Sequence, residues 1–345
     1  MGRELDPGRR GAGRLRDAHY ADTRDAASYA GKRVFIIGKQ NSGFELATGL
    51  ATWASAITVC SPTPAKTSIQ TKSLAGVRAR YVQPFEDSFL GLGVRVLDAS
   101  ITGLTKVDDG IRVELRRTDN GEALAVVADD VIAATGFTCP LLDLPDLGVA
   151  TFGASKLPAV TPFWESSSVP GIFFAGTIGQ AAPGLRRHGI PANSGAVHGA
   201  RYNAMILARH IAETRFGYET ERPLVEPTEL ISYLLREATY APELWHQKAY
   251  LARVVTASPD GGLRDEGILP LAHALDGLDA DMVAMTVEAD GTGALYPVAY
   301  VRKAGMVSEI LLPQDPLLQF ATMEHRSALA AALDGFPGIT AVPAG

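Results

Sequence analysis

The residues from Gly38 to Gly43 have the types and spacing of a turn that holds phosphate groups. They read Gly-Lys-Gln-Asn-Ser-Gly and follow the apolar residues 34–37. A chain that leaves a strand and turns sharply into a helix needs a residue that adopts positive φ, and glycine does so without strain. The N–H groups at the start of the helix carry partial positive charge, which attracts a pyrophosphate. The pattern therefore predicts a dinucleotide site in the turn.

Two positions inside the turn bear on this interpretation. Gly43, at the sixth position, would let the helix pack closely on the strand before it. Gln40 stands where such turns usually carry a second glycine, through which the pyrophosphate approaches the backbone. A side chain there either points away from the ligand or narrows the site. The alternative is an ordinary connection between a strand and a helix that binds no nucleotide.

The choice of coenzyme depends on the residues after the next strand. Turns specific for NAD usually place an acidic residue about 20 positions further on, where it binds the ribose hydroxyls. Here the second strand ends at Cys60-Ser61-Pro62, without an acid. Ser61 could hydrogen-bond a 2′-phosphate, and Lys66 or Lys72 could pair with it, which favours NADPH. NADH stays as the alternative, in which both lysines are solvated loop charges.

The elements that must position the turn follow from hydrophobic periodicity. Residues 34–37 predict a strand, and Asn41 or Ser42 caps a helix that runs to about residue 53. Residues 57–60 predict a second strand, and this order fits a right-handed parallel crossover. A β-meander with a hairpin turn at Asp109-Gly110 follows. Its strands and the last strand of the sheet are predicted over residues 94–97, 100–107, 111–117, 124–127 and 130–134.

The second half of the chain mixes helices and strands. Residues 171–175 predict a buried strand that ends in Gly176-Thr177. Helices are predicted over residues 197–214, 228–240, 242–255 and 323–333. Strands are predicted over residues 282–288, 295–302 and 307–312.

Polar side chains crowd the glycine- and proline-rich residues 180–201. An arginine there could hold a phosphate or carboxylate in bidentate fashion, and a histidine could titrate near neutral pH. The alternative is a polar loop that caps the following helix. The residues in question are Gln180, Arg186, Arg187, His188, Asn193, Ser194, His198 and Arg201.

Composition and charge narrow the classes of function. The formal net charge of −6 argues against nucleic acid as the main partner, because phosphate backbones select basic surfaces. No apolar run approaches the ~20 residues of a membrane-spanning helix, and the first residues do not resemble a secretory signal. We therefore expect a cytoplasmic protein that binds neither nucleic acid nor membrane. Cys60 and Cys139 are too far apart for a redox pair and make no metal site, so both are expected to be buried thiols.

Three stretches together resemble a known family. "GKRVFIIGKQNSGFELA", "DDVIAATGF" and "GIFFAGTIGQ" fall in the order seen in flavoproteins with two dinucleotide-binding domains, of the pyridine nucleotide-disulfide oxidoreductase superfamily. The likeness extends over about residues 17–213 and is greatest to flavin-containing monooxygenases and N-hydroxylases. It implies binding of NADPH and FAD, with hydride transfer from NADPH to flavin and then oxygen activation. It assigns no catalytic residue, because the flavin carries the chemistry.

The resemblance also implies roles for individual residues. Gly38, Asn41, Ser42 and Gly43 would contact the NADPH pyrophosphate. Thr135 and Gly136 would line the linker back to the FAD domain. Gly176 and Thr177, with Gln180 close in sequence, would approach FAD, although the family usually has aspartate where Thr177 stands.

The same resemblance implies a domain organisation. The expected fold is α/β, with a flexible leader (1–30), a Rossmann-like NAD(P)H domain with an inserted β-meander (31–135), the C-terminal part of an FAD domain (136–222) and an α+β module (223–345). The family begins with a strand and a G-x-G-x-x-G turn for FAD, and no apolar strand precedes Gly8, Gly11 and Gly13 here. A separate chain that supplies this half is therefore one expected partner, besides a small-molecule substrate and a second copy in a homodimer.

Two alternatives to the monooxygenase-type enzyme remain at this point. The first is a non-catalytic nucleotide-binding subunit or regulator that has lost FAD. The second is a flavin-free NAD(P)-dependent dehydrogenase, although the chain has no Tyr-x-x-x-Lys or similar proton-donor pair.

Overall fold

The chain folds into two compact units, Met1–Phe137 and Thr138–Gly345. A computed structural model describes residues 18–66, 93–137, 139–153, 156–179, 183–187, 190–194, 196–290 and 294–339. Each unit is built around its own sheet.

The first unit contains a seven-stranded sheet in the order β1-β7-β2-β3-β4-β5-β6. One helix, α1 (Asn41–Leu50), connects β2 to β3. The strands are β1 (Ala18–His19), β2 (Arg33–Ile37), β3 (Ala56–Ser61), β4 (Val94–Val107), β5 (Gly110–Arg117), β6 (Ala123–Ala128) and β7 (Asp130–Ala133).

Parallel pairing joins β1, β7, β2, β3 and the first residues of β4. Beyond Asp98, β4 turns into an antiparallel meander with β5 and β6. The predicted strand–helix–strand crossover and the inserted meander are therefore confirmed. One long strand, β4, replaces the two strands predicted over residues 94–107.

The two faces of this sheet bury different apolar clusters. Val34, Ile36 and Ile57 pack against α1 through Phe44 and Leu50. The opposite face buries residues of both the parallel strands and the meander: Phe35, Cys60, Ala99, Val113, Leu115, Ala128 and Val131. Burial on both faces explains why β2 and β3 read as continuous apolar runs.

Residues 18–29 depart from the expectation of a flexible leader. They form β1 and two 3-10 helices, Tyr20–Asp22 and Ala26–Tyr29. Tyr29 is buried, and Arg24 lies over its ring while pairing with Asp130 of β7. The leader expectation is therefore wrong for these residues, whose aromatic and charged side chains anchor them to the sheet. Residues 1–17 lie outside the described part of the chain.

The second unit contains a six-stranded antiparallel sheet in the order β12-β14-β13-β15-β16-β17 and two small two-stranded sheets. Its strands are β8 (Thr151–Phe152), β9 (Leu157–Pro158), β10 (Pro183–Arg187), β11 (Ile190–Asn193), β12 (Leu224–Val225), β13 (Leu251–Ala257), β14 (Leu263–Pro270), β15 (Met282–Ala289), β16 (Leu295–Lys303) and β17 (Met306–Leu311). Its helices are α2 (Ala196–Phe216), α3 (Leu230–Tyr240), α4 (Pro242–His246), α5 (Leu271–Asp276) and α6 (Met323–Ala332), with a 3-10 helix at Gly176–Gly179.

The six-stranded sheet is covered on both faces. One face packs against α3 and α6, with Leu234 and Leu329 among the buried contacts, and also against Leu207 of α2. The other face packs against α5 through Leu271 and Leu275. The large core on the first face draws in Trp164 as well, so segments from either side of residue 222 share it. The division into 136–222 and 223–345 stays a prediction.

Two elements of the second unit differ from the sequence prediction. Residues 251–255 lie in β13 and not in the predicted helix. Both faces of this strand are buried, so its sequence lacks the alternation of apolar and polar residues that identifies a strand. Residues 171–175 form no regular strand. Phe173 makes a single antiparallel bridge with Glu165, and the 3-10 helix begins at Gly176. The predicted strands over β15, β16 and β17 are confirmed, as is the mixed α/β fold class.

Candidate dinucleotide site

The carboxyl ends of three parallel strands meet at one edge of the first sheet. β2 lies between β3 and β7 and runs parallel to both. From β2 the chain passes through α1 to β3 on one side, whereas β7 on the other side belongs to a later crossover. A crevice at such a reversal of strand order is where open α/β sheets bind ligands.

Gly38 takes the chain out of β2 in a conformation that requires glycine. Its φ is +121°. Its N–H donates to the carbonyl oxygen of Cys60 at 2.8 Å, which ties the turn to the end of β3. A Cβ atom on Gly38 would overlap the carbonyl oxygen of Ala134, at the end of β7. The turn therefore touches the residue that precedes Thr135 and Gly136, and these predicted residues lie at the same sheet edge.

Gly43 brings the first turn of α1 onto the backbone of Gly38. A Cβ atom on Gly43 would overlap the carbonyl oxygen of Gly38 and lie 3.7 Å from Cγ1 of Val59. The close packing predicted for the sixth position of the turn is therefore present. A side chain larger than hydrogen would separate the helix from the strand.

The start of α1 is not capped by the side chain before it. Gln40 is the N-cap residue, in an extended conformation, and its side chain makes no capping hydrogen bond. Its carbonyl oxygen accepts the N–H of Phe44 at 3.1 Å. The side chain of Gln40 is exposed, while Asn41 and Ser42 are half-buried. The first-turn N–H groups of a helix have no partner within the helix, so an anion can bind them.

This geometry fits a dinucleotide pyrophosphate. The close backbone contacts at Gly38 and Gly43 fix the turn directly before a helix start that the side chain of Gln40 does not cap. The two glycines set the tight turn and the helix–strand packing of a dinucleotide site, and the helix start is where a phosphate would bind. The individual contacts of Gln40, Asn41 and Ser42 with a nucleotide stay predictions.

The residues expected to select NADPH are placed differently from one another. The hydroxyl of Ser61 donates to the carbonyl oxygen of Thr63 at 3.2 Å, within its own loop. Lys66 is exposed, and Lys72 lies outside the described residues. Of the three, the structure describes Ser61 and Lys66, and the hydroxyl of Ser61 bonds within its own loop.

Sequence reasoning missed an ion pair between a buried lysine of the turn and a partly exposed aspartate of β4. Lys39 is 2% exposed, and its Nζ donates to Oδ1 of Asp98 in β4. Asp98 pairs in register with Ser61, so the lysine side chain spans from the turn to the strand beyond β3. The pair also lies near Cys60. Burial raises the pKa of that thiol, and the charge of Lys39 opposes the increase. No sequence signal connects the two residues, because they are 59 positions apart.

The stretch after β7 is exposed. Thr135 and Gly136 are both accessible, and Gly136 has a φ of +98°. Phe137 follows, and its ring meets the edges of His19 and Tyr20 at centroid distances of 5.8 Å in each case. β1 and the 3-10 helix Tyr20–Asp22 thus hold Phe137 in place.

The residues expected to approach FAD belong to the second unit. Gly176 has a φ of +75° and begins the 3-10 helix, and Thr177 is exposed. Gly179 packs against the ring of Trp164. Gln180 lies outside the described residues. Gly176 and Thr177 are accessible, but the described residues hold no second unit of strand, glycine turn and helix like β2–α1.

The polar cluster predicted over residues 180–201 is only partly described. Residues 183–187 and 190–193 form the hairpin β10–β11, which contains Arg186, Arg187 and Asn193. His188 lies outside the described residues. Ser194 is buried and accepts a hydrogen bond from Nδ2 of Asn203 at 2.6 Å. His198 is exposed and lies 4.9 Å from the ring of His246. Ser194 therefore serves the packing of α2.

The residues that the structure describes lack two features. They contain no group of three or more histidine, cysteine, aspartate or glutamate side chains arranged to hold a metal ion. None of their helices is long and apolar enough to cross a bilayer.

Comparison with known proteins gives the family. Residues 7–176 match the family model described as pyridine nucleotide-disulphide oxidoreductase. Over this segment the chain is similar to the pyridine nucleotide-disulphide oxidoreductase superfamily. The superfamily match contains the whole β2–α1 turn and ends at Gly176. Flavin and nicotinamide cofactors are general to this superfamily. A comparison with curated proteins found no match.

Solved structures of this superfamily resemble part of the chain. The bacillithiol disulfide reductase of Staphylococcus aureus is 17% identical, with a TM-score of 0.43 over 59% of this chain and 59% of that one. The thioredoxin reductase of T. acidophilum is 21% identical, with a TM-score of 0.40 over 54% and 55%. The L-lysine 6-monooxygenase of Pseudomonas syringae is 17% identical, with a TM-score of 0.39 over 53% and 54%. The chain spans about half the length of the solved structures it matches.

Proposed function

We propose that this protein is a flavin-dependent oxidoreductase of the monooxygenase type, in which the first unit binds a reduced nicotinamide coenzyme. The observation that carries the proposal is the strand–turn–helix unit at the carboxyl edge of the parallel sheet, in which Gly38 turns at a φ of +121° and α1 begins without a side-chain cap from Gln40. The superfamily match over residues 7–176 supports the same assignment.

The chain's own residues would hold the coenzyme through the backbone. The N–H groups of the first turn of α1 bind the pyrophosphate, and the partial positive charge of the helix start favours the bound anion. Thr135 and Gly136 follow Ala134, which contacts Gly38 of the turn, and both residues are exposed. When bound, the coenzyme supplies a hydride for the flavin.

Binding of FAD is the less complete part of the proposal. A ligand could approach the backbone of Gly176 closely, because its positive φ favours glycine and no neighbouring atom lies within 4 Å of its Cβ position. Thr177 offers an exposed hydroxyl. We propose that the rest of the flavin site comes from residues other than the described ones, from a second chain or from a second copy in a homodimer. The substrate in this proposal is a small molecule.

The form of the coenzyme depends on the charges beyond β3. The sequence favours NADPH through Ser61 and Lys66. In the structure, the hydroxyl of Ser61 is engaged with Thr63, and Lys66 is exposed. Neither Ser61 nor Lys66 alone selects between NADPH and NADH.

Spectroscopy and turnover test the proposed function together. The purified full chain is mixed with FAD and either NADH or NADPH without oxygen, and the flavin absorbance is followed. Bleaching that depends on the protein, followed by oxygen uptake when air is admitted, is the expected result. Coenzyme binding without bleaching would instead favour the non-catalytic nucleotide-binding subunit.

A control variant separates binding from chemistry in this experiment. Gly49→Ala lies in α1 with open space around the new methyl group, so it keeps the turn and should bleach flavin as the unmodified chain does. Gly43→Ala should not bind coenzyme. A protein that oxidises coenzyme without flavin would instead indicate a flavin-free dehydrogenase.

A further inference from the structure

A cavity of about 370 Å³ opens beside the carboxyl end of β3. Pro64 and Ala65, which follow the strand, form one wall, and Asp98 of β4 forms another. A dinucleotide whose pyrophosphate lies at the start of α1 extends its adenosine toward the end of the next strand. In this sheet that strand is β3, so the cavity lies where the adenosine ribose would be read.

The charges of the cavity differ from those that the sequence suggests. Among the described residues that line it, the charged ones are Asp98, Arg117 and Asp119. Arg117 binds the carboxylate of Asp119 through two hydrogen bonds of 2.9 and 2.5 Å, so the two charges of this pair offset each other. Lys66 does not line the cavity.

The ion pair between Lys39 and Asp98 presents its negative side to the cavity. The side chain of Lys39 is 1% exposed, whereas that of Asp98 is 45% exposed. The Nζ atom of Lys39 donates to Oδ1 of Asp98 from the buried side of the carboxylate. The ammonium of Lys39 is buried and donates to Asp98, so it does not face the cavity. The accessible group is the carboxylate of Asp98.

A carboxylate at this position distinguishes the two coenzymes. It accepts hydrogen bonds from the ribose hydroxyls of NADH, and charge-assisted bonds of this kind are strong. The 2′-phosphate of NADPH donates none in its ionised form and adds about −1.5 to −2 charge at neutral pH, which the carboxylate repels. The usual acidic residue at the end of the second strand is replaced here by Ser61, and Asp98 lies beside it in register.

We propose that Asp98, held by the buried Lys39, recognises the adenosine ribose and makes the first unit selective for NADH over NADPH. This inference rests on the proposed nucleotide site. It moves the acidic determinant from β3 to β4, and it reverses the coenzyme preference expected from Ser61 and Lys66. Lys39 acts as a positioning residue, because it fixes the carboxylate without facing the cavity.

Calorimetric titration of the full chain with NADH and with NADPH tests this inference. The unmodified chain should bind NADH at least about tenfold more tightly than NADPH, as expected for one charge-assisted hydrogen bond. Asp98→Asn keeps the shape of the side chain and removes its charge. It should weaken NADH and spare or strengthen NADPH, so that the ratio of the two Kd values falls by about tenfold or more.

Two further variants keep the test decisive. Asp98→Asn leaves Lys39 buried without a counter-charge, so the double variant Lys39→Met/Asp98→Asn removes both charges and should show the same loss of selectivity if the single variant does not fold. Asp109→Asn is the matched control, because Asp109 is an exposed aspartate paired with Arg33 in the same unit and does not line the cavity. Its selectivity should equal that of the unmodified chain.

The outcomes separate this inference from the proposed function. Tighter binding of NADPH than of NADH by the unmodified chain, or an unchanged ratio in both Asp98 variants, overturns the role of Asp98 and leaves the nucleotide site standing. Absence of binding of either coenzyme to the unmodified chain overturns the nucleotide site and the inference with it.

Discussion

The backbone of Gly43 rests against the carbonyl oxygen of Gly38, so the first and sixth residues of the glycine turn are in direct contact. The contact sets the distance between β2 and the start of α1. It leaves no room for a Cβ atom at position 43. The place where a pyrophosphate would bind is therefore defined by the absence of side chains at two positions of the sequence.

Gly43→Ala should abolish coenzyme binding and destabilise the first unit. The new methyl group overlaps the backbone of Gly38, and overpacking of this kind costs about 1–3 kcal/mol or more. Gly49→Ala, later in the same helix, should instead be neutral or stabilise by up to about 1 kcal/mol, because its methyl group meets open space and alanine favours helices. Urea denaturation and coenzyme titration of both variants make the comparison. Equal stability of the two would contradict the packing that we describe.

The two partners of the buried ion pair should respond unequally to substitution. Asp98→Asn leaves the ammonium of Lys39, whose side chain is 1% exposed, with a neutral amide oxygen as its partner, and the loss of the charged partner should cost about 1–3 kcal/mol. Lys39→Met leaves the carboxylate of Asp98, which is 45% exposed and can be hydrated, so it should cost less. Denaturant unfolding of both single variants and of the double variant measures the difference. A larger loss from Lys39→Met would show that the lysine is not the buried partner.

Acidification should weaken the second unit through two histidines. The ring of His210 stacks on Phe163 at 3.9 Å between centroids, and His273 meets the same ring at 4.6 Å. Burial lowers the pKa of both histidines. At His210 the nearby Glu165 and Glu213 raise the pKa, but by less than burial lowers it.

The sign of the pH effect follows from these directions. Because the folded pKa is lower than the unfolded value of about 6.5, the unfolded chain binds protons first as the pH falls. The stability contributed by neutral His210 and His273 is present above about pH 6.5 and is lost as the pH falls through the lowered folded values. Urea denaturation at about pH 7.5 and about pH 5.5 brackets this window.

A substitution at His210 isolates its part of this pH effect. His210→Phe keeps an aromatic ring against Phe163 and cannot titrate, so it should reduce the loss of stability on acidification. His198→Gln, at an exposed histidine of the same helix, is the control and should leave the loss unchanged. Identical pH dependence in all three proteins would contradict a role for His210.

A buried amide network should matter more to stability than an exposed amide. Gln247 is fully buried and donates to Oδ1 of Asn203 and to the carbonyl oxygen of Gly199 at 3.3 Å. Gln247→Ala leaves those acceptors buried without a donor, which costs about 1–3 kcal/mol, and it also leaves a cavity. Gln319→Ala, at an exposed position, should stay within about 0.5 kcal/mol of the unmodified chain. Thermal unfolding of the two variants should therefore differ clearly, and matching midpoints would refute the network.

The turn and its crossover could be predicted because their signals are local. Gly38 and Gly43 are the first and sixth positions of one short segment, and the strands on either side of α1 are short apolar runs. The ion pair of Lys39 with Asp98 could not be predicted, since it depends on β4 lying next to β3 after an intervening stretch of chain. The position of Ala134 against Gly38 depends in the same way on the return of β7 to the side of β2.

Other elements were mispredicted for physical reasons that differ from case to case. Residues 251–255 are buried on both faces of a central strand, so they lack the alternation that identifies strands, and a helix was expected. Residues 171–175 are apolar enough for a strand but find a partner only at Phe173. The anchoring of residues 18–29 depends on Asp130 and on the buried ring of Tyr29, neither of which a local pattern reveals.

The central claim is that a nicotinamide coenzyme binds at the start of α1. The most direct measurement is a titration of the isotope-labelled full chain with NADH, followed by the backbone amide signals in NMR spectra. We expect saturable binding with the largest shift changes at Asn41, Ser42 and Gly43, because their N–H groups lie at the helix start beside the glycine turn. Saturable binding whose largest changes lie in the second unit, or no change at any amide, would contradict the claim.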